Sequence, residues 1–186
     1  MDNELLSHYR KVNGTYCIDI AVSALDELLA THDPSPIHQR DLHGIITKRL
    51  KEEIIFFQST DPVHVVFHLP RKLQKYESEI RNAFRHYFEF EYMDSGVHLA
   101  RRVYKARKIL GVAIVIFMSL IAASYIVEHY FPNHVIWHIV SESLFVGSWV
   151  ALWHPVHLLL YEWIPLQEDR KTYGRLKALP IEFVYK

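Results

Sequence analysis

The residues His134, His138 and Glu142 form the most suggestive chemical group in the sequence. Their four-residue spacing places all three along one face of an α-helix. Two imidazoles and a carboxylate suit zinc or another first-row metal, so the group predicts a divalent metal site. Two histidines four residues apart are weak evidence for a metal site, because this spacing lacks the specificity of a fuller ligand motif. Alternatively, the histidines are interfacial polar residues, and Glu142 is protonated or hydrogen-bonded to Ser141, Ser143 or a neighbouring subunit.

Two long apolar segments surround this group. Residues 109–127 carry no charge, and at about 1.5 Å per residue such a helix matches a hydrocarbon core of roughly 30 Å. Residues 139–161 form a second apolar segment, interrupted by Glu142, His154 and His157 and kinked by Pro155. We expect both segments to be transmembrane helices. These three polar residues then lie in or at the edge of a span, where ionisable groups are costly and indicate functional sites. For His154 and His157 we expect the capping of backbone groups freed by the kink, with an ion or proton relay as the alternative.

Charge asymmetry predicts how these helices are oriented. Basic residues precede the first span, whereas residues 128–135, between the spans, contain no Lys or Arg. The positive-inside rule then places both termini in the cytoplasm and the short loop outside. The sequence therefore predicts an antiparallel transmembrane hairpin. The basic residues before the first span are Arg101, Arg102, Lys105, Arg107 and Lys108.

A stripe of small residues follows one face of the second span at Ser143, Gly147 and Ala151. Ser119 and Ala123 offer a matching face on the first span. Small residues let two membrane helices approach closely. The stripe predicts either tight packing within the hairpin or association into a homo-oligomer.

Outside the spans, the chain predicts a small α/β domain. Residues 16–22 and 63–69 are typical of strands, and residues 42–54 and 71–87 have helical spacing of apolar residues. Ser23 and Asp26 suggest a capping box, and Asp41 or Ser35-Pro36 can cap the helix that follows. A last helix is expected to begin at Asp94 or Ser95 and to run into the membrane.

Two strands are too few for a stable sheet. The alternating tail at 180–185 is therefore predicted to add a third strand to the same domain. The domains are then a cytoplasmic α/β domain at 1–100, a transmembrane hairpin at 101–165 and a cytoplasmic tail at 166–186. The predicted fold class is an α+β membrane protein, in which the C-terminal strand completes the α/β domain.

Composition excludes several functional classes. The chain of 186 residues has 21 basic and 21 acidic side chains, and this neutrality argues against nucleic-acid binding. Its one cysteine, Cys17, excludes an internal disulfide and has no evident base beside it. Phosphate loops, zinc-protease motifs and nucleophile elbows are missing. We therefore expect a non-enzymatic protein without a cofactor. A membrane-anchored enzyme acting through Asp33, Asp41 and His38 or His43 is a third alternative.

Several short motifs resemble a group of uncharacterised small bacterial inner-membrane proteins with two spans. They are Asp-Pro-Ser-Pro at 33–36 with Arg-Asp-Leu at 40–42, then Glu142, Gly-Ser-Trp-Val-Ala-Leu-Trp-His-Pro at 147–155 and Leu-Leu-Tyr-Glu-Trp-Ile-Pro at 159–165. The likeness covers most of the chain and implies the same two-span arrangement with a cytoplasmic N-terminal domain. The position before Pro155, often Arg in that group, is His154 here. The resemblance implies no activity.

Together these patterns predict an inner-membrane protein that assembles into a homo-oligomer or recruits a cytoplasmic protein partner. The alternative is a metal or proton binding or transport protein with His134, His138 and Glu142 at an outer mouth. Two spans cannot enclose a pathway, so this alternative also requires an oligomer.

Overall fold

A computed structural model describes residues 6–186 as two compact units. The sheet unit comprises the described residues up to Ser95 together with Glu168–Lys186, and the hairpin unit is Gly96–Gln167. The strands are β1 (Arg10–Val12), β2 (Thr15–Ala21), β3 (Val63–Leu69) and β4 (Ile181–Tyr185). The α-helices are α1 (Leu25–Leu28), α2 (Gly44–Ile54), α3 (Glu77–Tyr130), α4 (Val135–Leu160) and α5 (Ile164–Ala178). Two 3₁₀ turns cover Ile37–Gln39 and Arg71–Tyr76.

The strands of the sheet unit form one sheet in the order β1-β2-β3-β4. β1 is antiparallel to β2, whereas β2, β3 and β4 are mutually parallel. The turn between β1 and β2 is Asn13-Gly14, and both residues have positive φ, 48° and 85°. This is the backbone geometry that Asn-Gly provides in a tight hairpin. The chain between β3 and β4 contains both long helices, so the hairpin unit is an insertion between two neighbouring parallel strands.

One face of the sheet carries the hydrophobic core. Ile18, Val65 and Phe67 are fully buried there, and the apolar faces of α2 and the start of α3 pack with them. Leu176 of α5 is also fully buried, so the helix that precedes β4 belongs to this core. The Arg175 guanidinium donates to the carbonyls of Ile54, Phe57 and Gln58, which ties α5 to the chain after α2.

The predicted C-terminal strand is confirmed, because β4 pairs with β3 along its whole length. It is the fourth strand and not the third, since β1 was not predicted. The predicted caps of α2, Asp41 or Ser35-Pro36, are wrong. The helix begins after His43, whose Nδ1 accepts the Ile45 amide at 3.3 Å. The predicted capping box of Ser23 and Asp26 is wrong, because α1 begins after Ala24 and the Glu27 carboxylate, not that of Asp26, accepts the Ser23 amide at 2.7 Å. The break expected before Asp94 is also wrong, because α3 is continuous over 54 residues.

The two helices of the hairpin unit run antiparallel. Phe117 of α3 packs edge-to-face on Trp149 of α4 at 5.5 Å between ring centroids. Arg102, earlier in α3, lies 2.6 Å from Glu162, which follows α4. By length and composition, both helices could cross a membrane. In the most apolar 18-residue stretch of each helix, only 11% is buried.

Small residues fill the interface between these two helices. The buried positions of the hairpin unit are Ala106, Ala113 and Ser124 on α3, and Ser141, Ser148 and Pro155 on α4. On α4 these positions repeat every seven residues, which is the period of a left-handed helix pair. The large apolar side chains of the same segments point outward, for example Val115 at 65% and Val150 at 68% exposure.

Candidate functional site

The predicted metal ligands lie at the start of α4. His134 is the residue before the first turn, and His138 and Glu142 follow on the helix. His138 Nε2 is 3.4 Å from Glu142 Oε1, and both side chains are more than half exposed. The sequence prediction that these two residues share a helix face is therefore confirmed.

A complete ligand set is not assembled there. Within residues 6–186 no three His, Cys, Asp or Glu side chains converge closely enough to hold a metal ion. His134, His138 and Glu128 instead line a surface depression at the turn between α3 and α4. The pair His138–Glu142 can supply two ligands, so a metal site would need a third from elsewhere. The metal site stays a prediction.

The packing residues of the hairpin differ from the predicted stripe. Ser143 and Ser119 are exposed, and each hydroxyl donates to a carbonyl of its own helix, Ile139 and Val115 respectively. A Cβ added to Gly147 would meet nothing within 4 Å. Ala151 and Ala123 are half-buried. The predicted stripe advances by four residues and the buried line by seven, so the stripe lies beside the intrachain interface and not along it. Oligomerisation through it stays a prediction.

A pair of serines makes the polar contact between α3 and α4. Ser124 Oγ donates to the Ser141 carbonyl at 2.9 Å, and Ser141 Oγ donates to the Ser124 carbonyl at 3.1 Å. The two hydroxyl oxygens are 3.0 Å apart, and both residues are buried. Such reciprocal bonds hold membrane helices together where no water competes. The sequence alone suggests Ser141 only as a partner of Glu142.

The two histidines around Pro155 have separate surroundings. His154 lines a cavity with Arg102 and Glu162. The His157 ring lies 5.3 Å from the Tyr161 ring, while its backbone carbonyl accepts the Tyr161 amide. Among residues 6–186 neither imidazole hydrogen-bonds a carbonyl, so the predicted capping of the kink is wrong. Pro155 itself is buried between the helices.

Charged residues link three strands on the sheet face opposite the core. Arg10 of β1 donates two hydrogen bonds to Asp19 of β2, at 2.7 and 3.0 Å. His68 of β3 lies 2.6 Å from the same Asp19 carboxylate through Nε2. The hydrogen bonds from Arg10 are the main reason that the pKa of Asp19 lies below its usual range, and burial partly opposes them. Nδ1 of His68 is buried with no partner among the described residues.

A second pair on this face joins β3 to β4. His64 Nδ1 is 3.0 Å from Glu182 Oε1. His64 and His68 lie four residues apart on β3, so they are on the same face of the strand. Their acidic partners are 118 and 49 residues away in sequence. Sequence reasoning missed these pairs because strand register, and not local spacing, brings them together.

The candidate enzymatic residues of the N-terminal part support local structure. Asp33 accepts the amides of Ser35 at 2.9 Å and Asp41 at 2.8 Å, and the bonding to Ser35 chiefly lowers its pKa. His43 caps the start of α2. Burial raises the pKa of the Cys17 thiol, which favours the unreactive protonated form. These contacts give no reacting pair within hydrogen-bond distance.

No protein-family model matches the chain, and no curated protein or solved structure matches it either.

Proposed function

We propose that the protein is an integral membrane protein whose α3 and α4 cross the bilayer as a hairpin and hold the sheet unit in the cytoplasm. One observation carries the proposal: large apolar side chains point outward along the hairpin unit, while alanine and serine fill its interface. A soluble protein rarely exposes such an extensive apolar surface. In lipid, however, outward apolar residues and small interface residues are the favourable arrangement.

Long apolar helices also occur in the cores of soluble proteins and in secretory signals, but neither fits this chain as well. The core helix of a soluble protein is mostly buried, whereas only 11% of the most apolar stretch of each helix is buried here. A secretory signal lies at the N-terminus, whereas the first apolar segment begins near residue 109. Both comparisons favour membrane insertion.

Charge supports the orientation. Five basic residues between 101 and 108 precede the first apolar segment, and Arg170 and Lys171 follow the return of the chain. The turn at 131–134 has no Lys or Arg. By the positive-inside rule the sheet unit is cytoplasmic and the turn is external. The resemblance to bacterial two-span proteins supports the inner membrane as the location.

Within that location, we assign the protein a non-enzymatic role as an oligomeric scaffold that presents the sheet unit to a protein partner. Support comes from outward-facing small residues on α4, since Ser143 is exposed and Gly147 borders open space. The polar sheet face around Asp19 and Glu182 offers charged groups for a partner.

Site-directed labelling tests the topology. In a Cys17→Ser background, Asn133→Cys places a thiol in the turn and Lys186→Cys places one at the C-terminus. An impermeant maleimide applied to intact cells should label Asn133→Cys at once, and Lys186→Cys only after permeabilisation. Equal labelling of both variants in intact cells, or release of the protein by alkaline carbonate, would contradict the proposal.

A pair of glycine variants tests the oligomer. Neither Gly147 nor Gly111 is packed closely in the single chain, because an added Cβ meets nothing within 4 Å at either position. Gly147→Leu should lower the oligomer mass seen by native mass spectrometry, because the bulk blocks close helix approach. Gly111→Leu, on the other helix, is the matched control. A monomeric wild type would refute the scaffold.

The second candidate function is metal or proton binding at the outer end of the hairpin. The observation that favours it is the His138–Glu142 pair, 3.4 Å apart and exposed. Native mass spectrometry with added Zn²⁺ should then show metal in the wild type, and none in His134→Ala or Glu142→Ala. His129→Ala keeps the proposed ligands and is the control. An oligomer that stays free of metal favours the scaffold.

A further inference from the structure

The hairpin unit contains a cavity of about 200 Å³ near its basic end. α3 contributes Arg102, Lys105 and Ile109 to its wall, and the opposite wall comes from His154, Leu158 and Glu162. None of these residues takes part in the serine contact or in the predicted metal group. Neither of those two features therefore accounts for the cavity.

The polar lining of the cavity has an excess of positive charge. Arg102 Nη2 and Glu162 Oε2 are 2.6 Å apart, so these two charges largely compensate each other. Lys105 forms no ion pair or hydrogen bond with any residue in 6–186. The ammonium group of Lys105, an imidazole N–H of His154 and the remaining N–H groups of Arg102 are thus left as donors, and no acidic side chain besides Glu162 lines the cavity. Such a lining suits an anionic group that accepts hydrogen bonds.

The apolar lining indicates what is attached to that anionic group. Ile109 lies one helical turn from Lys105, towards the apolar segment of α3, and Leu158 adds an apolar wall from α4. On α4, His154 lies one turn from Leu158, again towards the apolar segment. A ligand that fits has an anionic head at Lys105, ester oxygens within reach of His154, and a hydrocarbon chain against Ile109. Basic pockets between membrane helices on the cytoplasmic side bind anionic lipid headgroups for this reason.

We propose that this cavity binds one anionic phospholipid, with its phosphate on Lys105 and Arg102 and its acyl chain along Ile109. The inference rests on the proposed membrane location, because only there does a phospholipid reach the cavity. Glu162 has a positioning role: it holds the Arg102 guanidinium at the rim by the 2.6 Å contact. The same phosphate chemistry exists in soluble phosphate esters, but these lack the chain that the apolar wall would contact.

Native mass spectrometry of the full chain, released from phosphatidylcholine nanodiscs doped with phosphatidylglycerol, tests the site. We expect one retained phosphatidylglycerol per protomer in the wild type. Lys105→Gln should weaken retention about fivefold, the effect of one basic residue on an anionic lipid. Lys108→Gln removes the same charge from the same helix outside the cavity, and we expect less than about a twofold change. Ile109→Trp, which fills the cavity, should abolish retention while keeping every charge.

Three outcomes would overturn the inference. If Lys105→Gln and Lys108→Gln lose equal amounts of phosphatidylglycerol, basic residues near the membrane surface attract the lipid in general and the cavity does not select it. Equal retention of phosphatidylcholine would mean that the site does not select an anion. Displacement by sn-glycerol 3-phosphate would identify a soluble phosphate ester as the ligand. Carbonate extraction of the same preparation separates the two proposals: an integral protein without bound lipid refutes only the cavity, whereas a carbonate-soluble protein refutes the membrane location and the cavity with it.

Discussion

The sheet unit and the hairpin unit use large and small residues in opposite ways. In the sheet unit phenylalanine, leucine and isoleucine are buried, as at Phe67 and Leu50, each 0% exposed. In the hairpin unit alanine and serine are buried, and Trp153 is 79% exposed. The first arrangement gains free energy by removing apolar surface from water. The second gains little in that way and relies on close backbone approach and hydrogen bonds.

This difference bears on the membrane location proposed above. A protein in water cannot leave most of two apolar helices exposed without associating or aggregating. A protein in lipid gains no free energy from burying an aliphatic side chain, because the lipid tails are equally apolar. The sheet unit therefore buries its large apolar side chains as a domain in water does, and the exposed apolar side chains of the hairpin unit fit the membrane location that we propose. Matched substitutions in the two units, or within one of them, test this difference.

The largest contrast is expected for phenylalanine truncation. Phe67→Ala removes a fully buried ring between Phe84 and Phe183 and should destabilise the sheet unit by about 3–5 kcal/mol. Phe145→Ala removes a ring that is 49% exposed, and its cost should stay within about 0.5 kcal/mol. Amide hydrogen exchange of β3 and α4 in a detergent-solubilised protein measures both. Similar acceleration in the two segments would contradict the difference between the units.

The next contrast places a charge on exposed apolar positions of both units. Met118→Arg lies near the middle of the first apolar segment, and its insertion free energy should rise by about 3 kcal/mol if the segment spans the bilayer. Ile45→Arg replaces a side chain that is 73% exposed on α2, and in water it should cost less than about 0.5 kcal/mol. The carbonate-resistant fraction measures the first and urea denaturation the second. If Met118→Arg leaves the carbonate-resistant fraction unchanged, the face of α3 that carries Met118 lies in water.

Local patterns predicted the elements of both units better than the contacts between them. The strand at 63–69 and the helix within 42–54 follow from side-chain periodicity, and β4 followed from alternation together with topology. Asn13-Gly14 was a sequence signal for the β1–β2 hairpin, so β1 could have been predicted.

The sites were less accessible to sequence reasoning. The Asp19–His68 pair depends on the register of two parallel strands, and the Ser124–Ser141 pair depends on the rotation of two helices about their axes. Neither quantity is encoded in spacing along one segment. Glu142 and His138 were paired correctly because four residues on one helix suffice to define their contact.

A smaller effect is expected inside the hairpin unit. Ser124→Ala and Ser141→Ala each remove part of the reciprocal contact and should destabilise helix association by about 0.6 kcal/mol, with about 1.7 as the upper limit. The double variant should cost less than the sum, because the contact between the two hydroxyl oxygens is already lost in either single variant. Ser119→Ala and Ser143→Ala are matched controls, since their hydroxyls bond only their own helix. Unfolding in increasing dodecyl sulfate measures all of them. Additive costs would show that the two serines act independently.

The smallest effect is expected at the polar face of the sheet unit, where the charges are partly solvated and contribute little. Because the folded-state pKa of Asp19 is lowered, the carboxylate stabilises the fold above its unfolded pKa of about 4. That contribution is lost as the pH falls through the folded-state pKa. Arg10→Gln removes the main cause of the shift, so its urea midpoint should be lower than wild type at pH 7 and converge with it on acidification.

Asp19→Asn is the control for this pH dependence. It removes the titrating group, so adding Arg10→Gln to it should cause little further change at any pH. A difference between wild type and Arg10→Gln that persists well below the pKa of Asp19 would mean that Arg10 stabilises β1 by packing and not through the carboxylate. Because Arg10 is the only β1 residue that hydrogen-bonds Asp19 in the described part of the chain, this result would also remove that ion pair as the reason for pairing the edge strand. The contrast between the units would then sharpen, because packing and the backbone ladder would hold β1 on the sheet, whereas reciprocal serine hydrogen bonds join α3 and α4.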